Sequence, residues 1–242
     1  MAPDHFSLER ALTSLKDLGW TPGGIVDVGV GAGTPGLYSV WPDTPLCLIE
    51  PTPEALVYMR QIAAKYANVH IFNCGASDHN GELIARQPEG LLRVFFGRGK
   101  GFPERSLPVR TCDDMVAEAG IEAPILLKID TDSHEREVLL GAEATLQRTE
   151  VCVIETNVFH TQRRLMSPME IWQFFSERGF AFFDIAGCSI AQSGVMRAAD
   201  FVFVKADAAI LQTAREHSSK SAEKRAKRVR QYREYAQSNP LI

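Results

Sequence analysis

Short apolar runs alternate with helical patterns along most of this chain, which restricts it to few architectures. The runs cover residues 25–28, 46–49, 69–72, 125–129, 151–154, 180–185 and 201–204. Most lack polar alternation, as strands buried on both faces do. Helix signals lie between them. Leu8, Leu12, Leu15 and Leu18 repeat at helical spacing, and Thr52 with Pro53 marks a helix start. Ser167 and Glu170 form a capping box, and Gly179 closes the helix that follows. This order predicts an α/β fold built on a doubly wound, mostly parallel sheet. A single domain is expected over residues 1–210.

Two segments stand apart. Residues 81–108, "GELIARQPEGLLRVFFGRGKGFPERSLP", are rich in Gly, Pro and Arg, with strand-like pieces at 83–85 and 91–96. They read as an insertion carrying a hairpin and a mobile loop, and loops of this length are often lids or binding elements. Residues 211–242 read as a basic helical tail. From Arg215 onward, eight Lys/Arg face three Glu, a charge of +5 that leaves −9 for the remainder of a chain whose net charge is −4. Such a helix lies on the body or on a twin subunit as a homodimer contact, or is drawn to an acidic surface.

The overall negative charge gives no surplus for holding nucleic acid, so none is expected as a partner. The five cysteines show no C-x-x-C pair, and the three in apolar strand-like runs read as small buried thiols. Residues 1–12 carry no basic-then-apolar leader, and no apolar run reaches the roughly 18 residues of a membrane span, so a cytoplasmic setting is expected.

The stretch "GGIVDVGVGAGTPGLYSVW", residues 23–41, fits two nucleotide-binding turns. Gly31, Gly33 and Gly36 make the G-x-G-x-x-G of dinucleotide folds. Asp27, Gly29, Gly31 and Gly33 make the D-x-G-x-G-x-G of S-adenosylmethionine methyltransferases. The first strand runs directly into Gly29, and Asp27 would repel a pyrophosphate while pairing with an ammonium. Glu50, ending the second strand, suits the ribose of either nucleotide.

Further blocks follow: "NCGASDHNGE", "LPVRTCDDMV", "PILLKIDTDSHEREVLLGAEATL" and "VCVIET". In this order, from about Ile25 to Glu155, the chain resembles the FkbM family of S-adenosylmethionine-dependent methyltransferases. It departs from that pattern where Asp132 and Ser133 replace Glu and Gly, and where Gly31 replaces Asn. The resemblance implies a seven-stranded class I (Rossmann-like) methyltransferase domain. It implies transfer of a methyl group to a hydroxyl on a sugar or secondary metabolite, the acceptor being a small molecule or a glycan. An NAD-dependent oxidoreductase and a non-catalytic nucleotide-binding partner protein are the competing classes.

In open α/β sheets the ligand lies over the carboxyl ends of the central strands. Asp27, Gly29, Gly31 and Gly33 are therefore assigned to the methionine end, Glu50 to the ribose, and Asn73, Ala76 and Ser77 to the adenine. Alternation puts Leu126, Lys128 and Asp130 on one face. A Lys within a central strand calls for a partner, with Asp130, Asp132 or Glu155 in reach. The plainer reading is a structural ion pair. The catalytic one makes Asp130 the acid nearest the methyl, with His134 or Lys128 receiving the proton. Asp130, Glu155 and Asn157 are oxygen residues at strand ends that would suit magnesium, a metal the sequence admits without requiring.

Overall fold

The computed structural model describes residues 6–97, 99–159 and 165–238. Its helices are α1 (Leu8–Asp17), α2 (Pro35–Ser39), α3 (Leu56–Lys65), α4 (Cys112–Glu118), α5 (Glu135–Leu140), α6 (Glu143–Arg148), α7 (Pro168–Glu177) and α8 (Ala209–Ser238). The strands are β1 (Gly24–Val28), β2 (Leu46–Ile49), β3 (Val69–Phe72), β4 (Gly75–Ala76), β5 (Gly81–Arg86), β6 (Phe95–Phe96), β7 (Glu104–Arg110), β8 (Ile125–Ile129), β9 (Thr149–Asn157), β10 (Phe180–Ile190) and β11 (Met196–Lys205). Among the described residues no helix is long and apolar enough to cross a membrane.

The main sheet has the order β10-β11-β9-β8-β1-β2-β3. Its strands run parallel except β11, which lies antiparallel between β9 and β10. β1 and β8 are buried along their whole length, as the unbroken apolar runs predict. One face packs on α4–α7 through Met115, Val138, Leu146 and Phe175. The other packs on α1–α3 and the start of α8 through Leu12, Tyr38, Met59 and Ile210. The sheet is therefore wound on both sides, and the crossovers bring the carboxyl ends of β1, β2, β3, β8 and β9 to one rim.

Local signals explain the helices closely in two places. Ser7 caps α1 by accepting from the Arg10 backbone N–H, and the Ser167–Glu170 box opens α7. At Thr52 the structure differs. Pro53–Ala55 form a 3₁₀ turn before α3, and the Thr52 hydroxyl donates to Glu50 Oε1 at 2.8 Å instead of capping the helix. The interval after β3 builds a second sheet, β4-β7-β5-β6. The main partner of β5 is β7, not the expected 91–96 piece, of which only Phe95–Phe96 pairs. Pro108 within β7 reads as a strand breaker, yet Leu107 and Val109 alternate inward around it and are buried.

Phe175 has no exposed surface, stacks on Phe203 with ring centres 4.4 Å apart, and meets Phe180 edge-on at 5.3 Å. Phe175→Ala is expected to cost about 3–5 kcal/mol of unfolding free energy in urea titration. A loss below about 1 kcal/mol would mean that this face of the sheet does not depend on α7.

Candidate active site

The glycine turn joins β1 to α2. Gly29, Gly31 and Gly33 have φ of +85°, +52° and +106°, in the left-handed region that favours glycine. At Gly29 a Cβ would lie 1.7 Å from the Asp130 carbonyl oxygen, so the end of β8 can cross here only over a bare backbone. At Gly31 a Cβ would meet nothing within 4 Å: the turn faces open space there. Gly36 is not part of this curl. It sits in α2 with its Cβ position 3.3 Å from Glu9 of α1. The strained positions thus follow D-x-G-x-G-x-G rather than the dinucleotide pattern.

Beneath the turn Asp27 is fully buried. Its Oδ2 accepts from the Tyr38 hydroxyl and, at 2.9 Å, from Thr34 Oγ1. Its Oδ1 accepts no hydrogen bond and lies 3.5 Å from Lys128 Nζ, which stands 3.3 Å from Asp130 Oδ2 on its other side. Asp27 therefore braces Thr34, Tyr38 and Lys128 behind the turn and presents no free surface of its own. Burial opposes the charge on Lys128, but Asp27 and Asp130 outweigh it and raise its pKa. The two carboxylates hold Lys128 as a charged ion-pair partner between the ends of β1 and β8. Its second partner is Asp27 on the neighbouring strand. Asp132 is taken instead by Arg93, from the loop between β5 and β6.

Glu50 is buried at the end of β2. It accepts from the Gly31 N–H at 3.0 Å and from Thr52 N–H and Oγ1 at 2.9 and 2.8 Å, so it ties the turn to the second strand. Burial pushes its carboxyl pKa up against these bonds. Asn73 donates from Nδ2 to the carbonyls of Glu50 and Thr52, joining the ends of β2 and β3.

Beyond β8 the chain turns through Asp132 (φ +53°) and Ser133 (φ +97°). Non-glycine residues in this region mark a conformation held by its surroundings. Glu135 is the holder: it accepts from Ser133 N–H at 3.0 Å and from Thr131 Oγ1 at 3.3 Å. The turn separates the two expected catalytic side chains. Asp130 stays with Lys128, whereas the His134 ring meets Ser77, Nε2 to Oγ at 3.1 Å, and the Phe96 ring at 4.6 Å. Burial lowers the His134 pKa against the pull of Glu137 and Asp78, favouring the neutral imidazole. Ser77, Asp78, Leu83, Phe96, Ser133 and His134 line a cavity of about 480 Å³. Ala76, in β4, is buried beside it.

Asn157 and Glu155 lie on β9. Among the described residues no three His, Cys, Asp or Glu side chains are grouped to hold a metal ion. Thr34, Tyr38, Glu135, Arg93 and Phe96 escaped the sequence reading. Only Thr34 and Tyr38 carried a signal, an i,i+4 pair directly after the glycines.

Lys128→Met leaves Asp27 buried without its cation. It is expected to lower the unfolding free energy by about 3–5 kcal/mol, the usual cost of removing one member of a buried pair. Denaturant titration showing wild-type stability would mean that the pair does not hold the strand ends together.

A family model described as the methyltransferase FkbM domain matches residues 44–182. The 2-O-methyltransferase NoeI of Sinorhizobium fredii (strain NBRC 101917 / NGR234) is 26% identical over 146 residues, 52% of this chain and 59% of NoeI. The chain thus spans less than two thirds of that relative. Two solved structures superpose with low scores. N-methyltransferase NodS from Bradyrhizobium japonicum WM9, in complex with S-adenosyl-L-homocysteine, gives a TM-score of 0.46 at 12% identity, covering 84% of this chain and 89% of NodS. Magnesium protoporphyrin IX methyltransferase from Synechocystis PCC 6803, with bound SAM, gives 0.45 at 9%, covering 82% and 77%. On the span and order of its family match, the chain belongs to the FkbM methyltransferase family.

Proposed function

We propose that this methyltransferase uses S-adenosylmethionine to methylate a hydroxyl group, on a sugar or secondary metabolite. The observation that carries this reading is the open space over Gly31, framed by three positive-φ glycines and floored by the Asp27–Lys128–Asp130 chain. A chain of atoms can lie against bare backbone there, as the amino-acid end of the cofactor requires. When bound, S-adenosylmethionine supplies a methyl carbon on a positively charged sulfur, open to in-line attack by a hydroxyl oxygen.

The protein's own residues then have distinct tasks. Glu50, already oriented by Thr52, presents its carboxylate to the ribose hydroxyls. The cavity beside Ser77, Phe96 and His134 suits a planar base, with Asp78 at its polar edge and Phe96 as an aromatic wall. Asn73 ties the ends of β2 and β3 together on the way to it, and Gly75 leaves room for the Phe96 ring, where a Cβ would lie 2.7 Å from it. In this reading His134 serves base binding rather than proton transfer. Asp130 is the carboxylate nearest the sulfonium, held by Lys128 and still open to the cleft, with 40% of its side chain exposed. The arrangement gives orientation and electrostatic stabilisation, which are the main needs of methyl transfer. NoeI, as a 2-O-methyltransferase, supports oxygen as the atom methylated.

Gly31→Val fills the open space over the turn. The variant is expected to keep wild-type circular dichroism and to lose calorimetric binding of S-adenosylhomocysteine. Unchanged affinity in the folded variant would remove the turn from the cofactor site.

A further inference from the structure

α8 leaves the body of the protein soon after it begins. It runs for 30 residues, about 45 Å at 1.5 Å per residue. Its root joins the core through Ile210 and Leu211, both buried. Residues 215–219 and 225–231 are exposed, so over this length the helix does not lie on the body. Val229 falls five full turns past Leu211, on the same line of the helix. The body covers Leu211, whereas Val229 is 45% exposed. No Gly or Pro, the usual seats of a kink, occurs in residues 209–238.

The helix and the body carry opposite charge. From Arg215 onward the chain holds +5, and the remainder −9. At 3.6 residues per turn, Arg225, Lys227, Arg228 and Arg230 lie on different sides of the helix. That leaves no broad apolar face for lying in a lipid surface, and two such helices would repel each other if they paired. The complement sits at the end of the sheet from which α8 springs, where β1, β2, β8 and β9 begin. Asp17 closes α1, Asp43 and Glu122 stand before β2 and β8, Glu150 lies at the start of β9, and Asp207 separates β11 from α8. All are exposed except the half-buried Glu150. Among the described residues none of the five is in an ion pair. The cations of this base, Lys16, Arg148 and Lys205, donate to the carbonyls of Val40, Ile121 and Arg178. Beside the root of α8, Glu150 and Asp207 line a cavity of about 630 Å³.

We propose that α8 docks on the acidic base of a second copy of this chain. An unkinked helix rooted at the base cannot turn back onto it, so the opposite charges of one chain meet only between two. A two-fold axis makes the contact reciprocal, each helix crossing the base of its partner. The glycine turn and the rim that carries it lie at the far end of the sheet, clear of this contact.

Light scattering on the full chain as it elutes from a sizing column reads the assembly directly. At about 0.1 M salt, twice the mass of one chain is expected. Raising the salt to about 1 M shortens the screening length from about 10 Å to about 3 Å and should weaken the dimer by on the order of tenfold or more. One variant carries Arg225→Glu, Arg228→Glu and Arg230→Glu; another carries Glu122→Lys and Asp207→Lys. Each should be monomeric with wild-type circular dichroism. Mixed, the two should form a dimer again, because the reversed helix then meets the reversed base and the unaltered helix the unaltered base. A misfolded or merely recharged protein would give no such rescue. A monomeric wild type at low salt, a dimer that survives either set of reversals, or a mixture that stays monomeric would overturn the proposal. A monomeric wild type that cosediments with phosphatidylglycerol vesicles would overturn it in favour of an anionic lipid surface.

Discussion

The ammonium of Lys128, buried between Asp27 and Asp130, is the contact on which the rim of this sheet depends. It joins β1 to the end of β8 at the level where both strands stop. Without it, Asp27 would be a carboxylate with no exposed surface and one oxygen without a partner, and burial of an unpaired charge is costly. With it, Asp27 can orient Thr34 and Tyr38 behind the glycine turn. The close crossing of Gly29 over the Asp130 carbonyl follows from the same juxtaposition. The glycine turn and the end of β8 are thus two sides of one buried charge network, and a change on either strand is felt by both.

The second sheet gives the site its other wall. Phe96 on β6 reaches His134, and Arg93 reaches Asp132, so the segment between β5 and β7 touches the turn after β8 in two places. That turn is itself held in a conformation that glycine would adopt freely. The contacts of Glu135, Phe96 and Arg93 supply what the backbone of Asp132 and Ser133 does not favour by itself. The insertion that reads as a hairpin and a mobile loop is therefore tied to the cleft at its rim.

The sheet, its winding and the ends of its central strands were legible because each depends on short-range pattern. Unbroken apolar runs, the Ser7 and Ser167 caps and the spacing of Gly29, Gly31 and Gly33 are all local. What escaped depends on distant pairing. Asp27 as a partner of Lys128 requires the β1–β8 register across about a hundred residues. β7 was hidden by Pro108, which matters little where the flanking Leu107 and Val109 are buried. The direction of His134 follows from two positive φ values that neither Asp nor Ser announces. Glu155 was visible as a strand-end acid, but its company, Asp200 from β11 and the bare Gly187 beyond, belongs to the tertiary register alone.

The central claim is that the turn over Gly31 cradles S-adenosylmethionine and not a dinucleotide. Thermal unfolding of the full chain with S-adenosylhomocysteine or NAD at equal concentration tests it most directly, since a ligand that binds only the folded state raises the midpoint. A rise with S-adenosylhomocysteine and none with NAD is expected. A rise with NAD alone would contradict the claim.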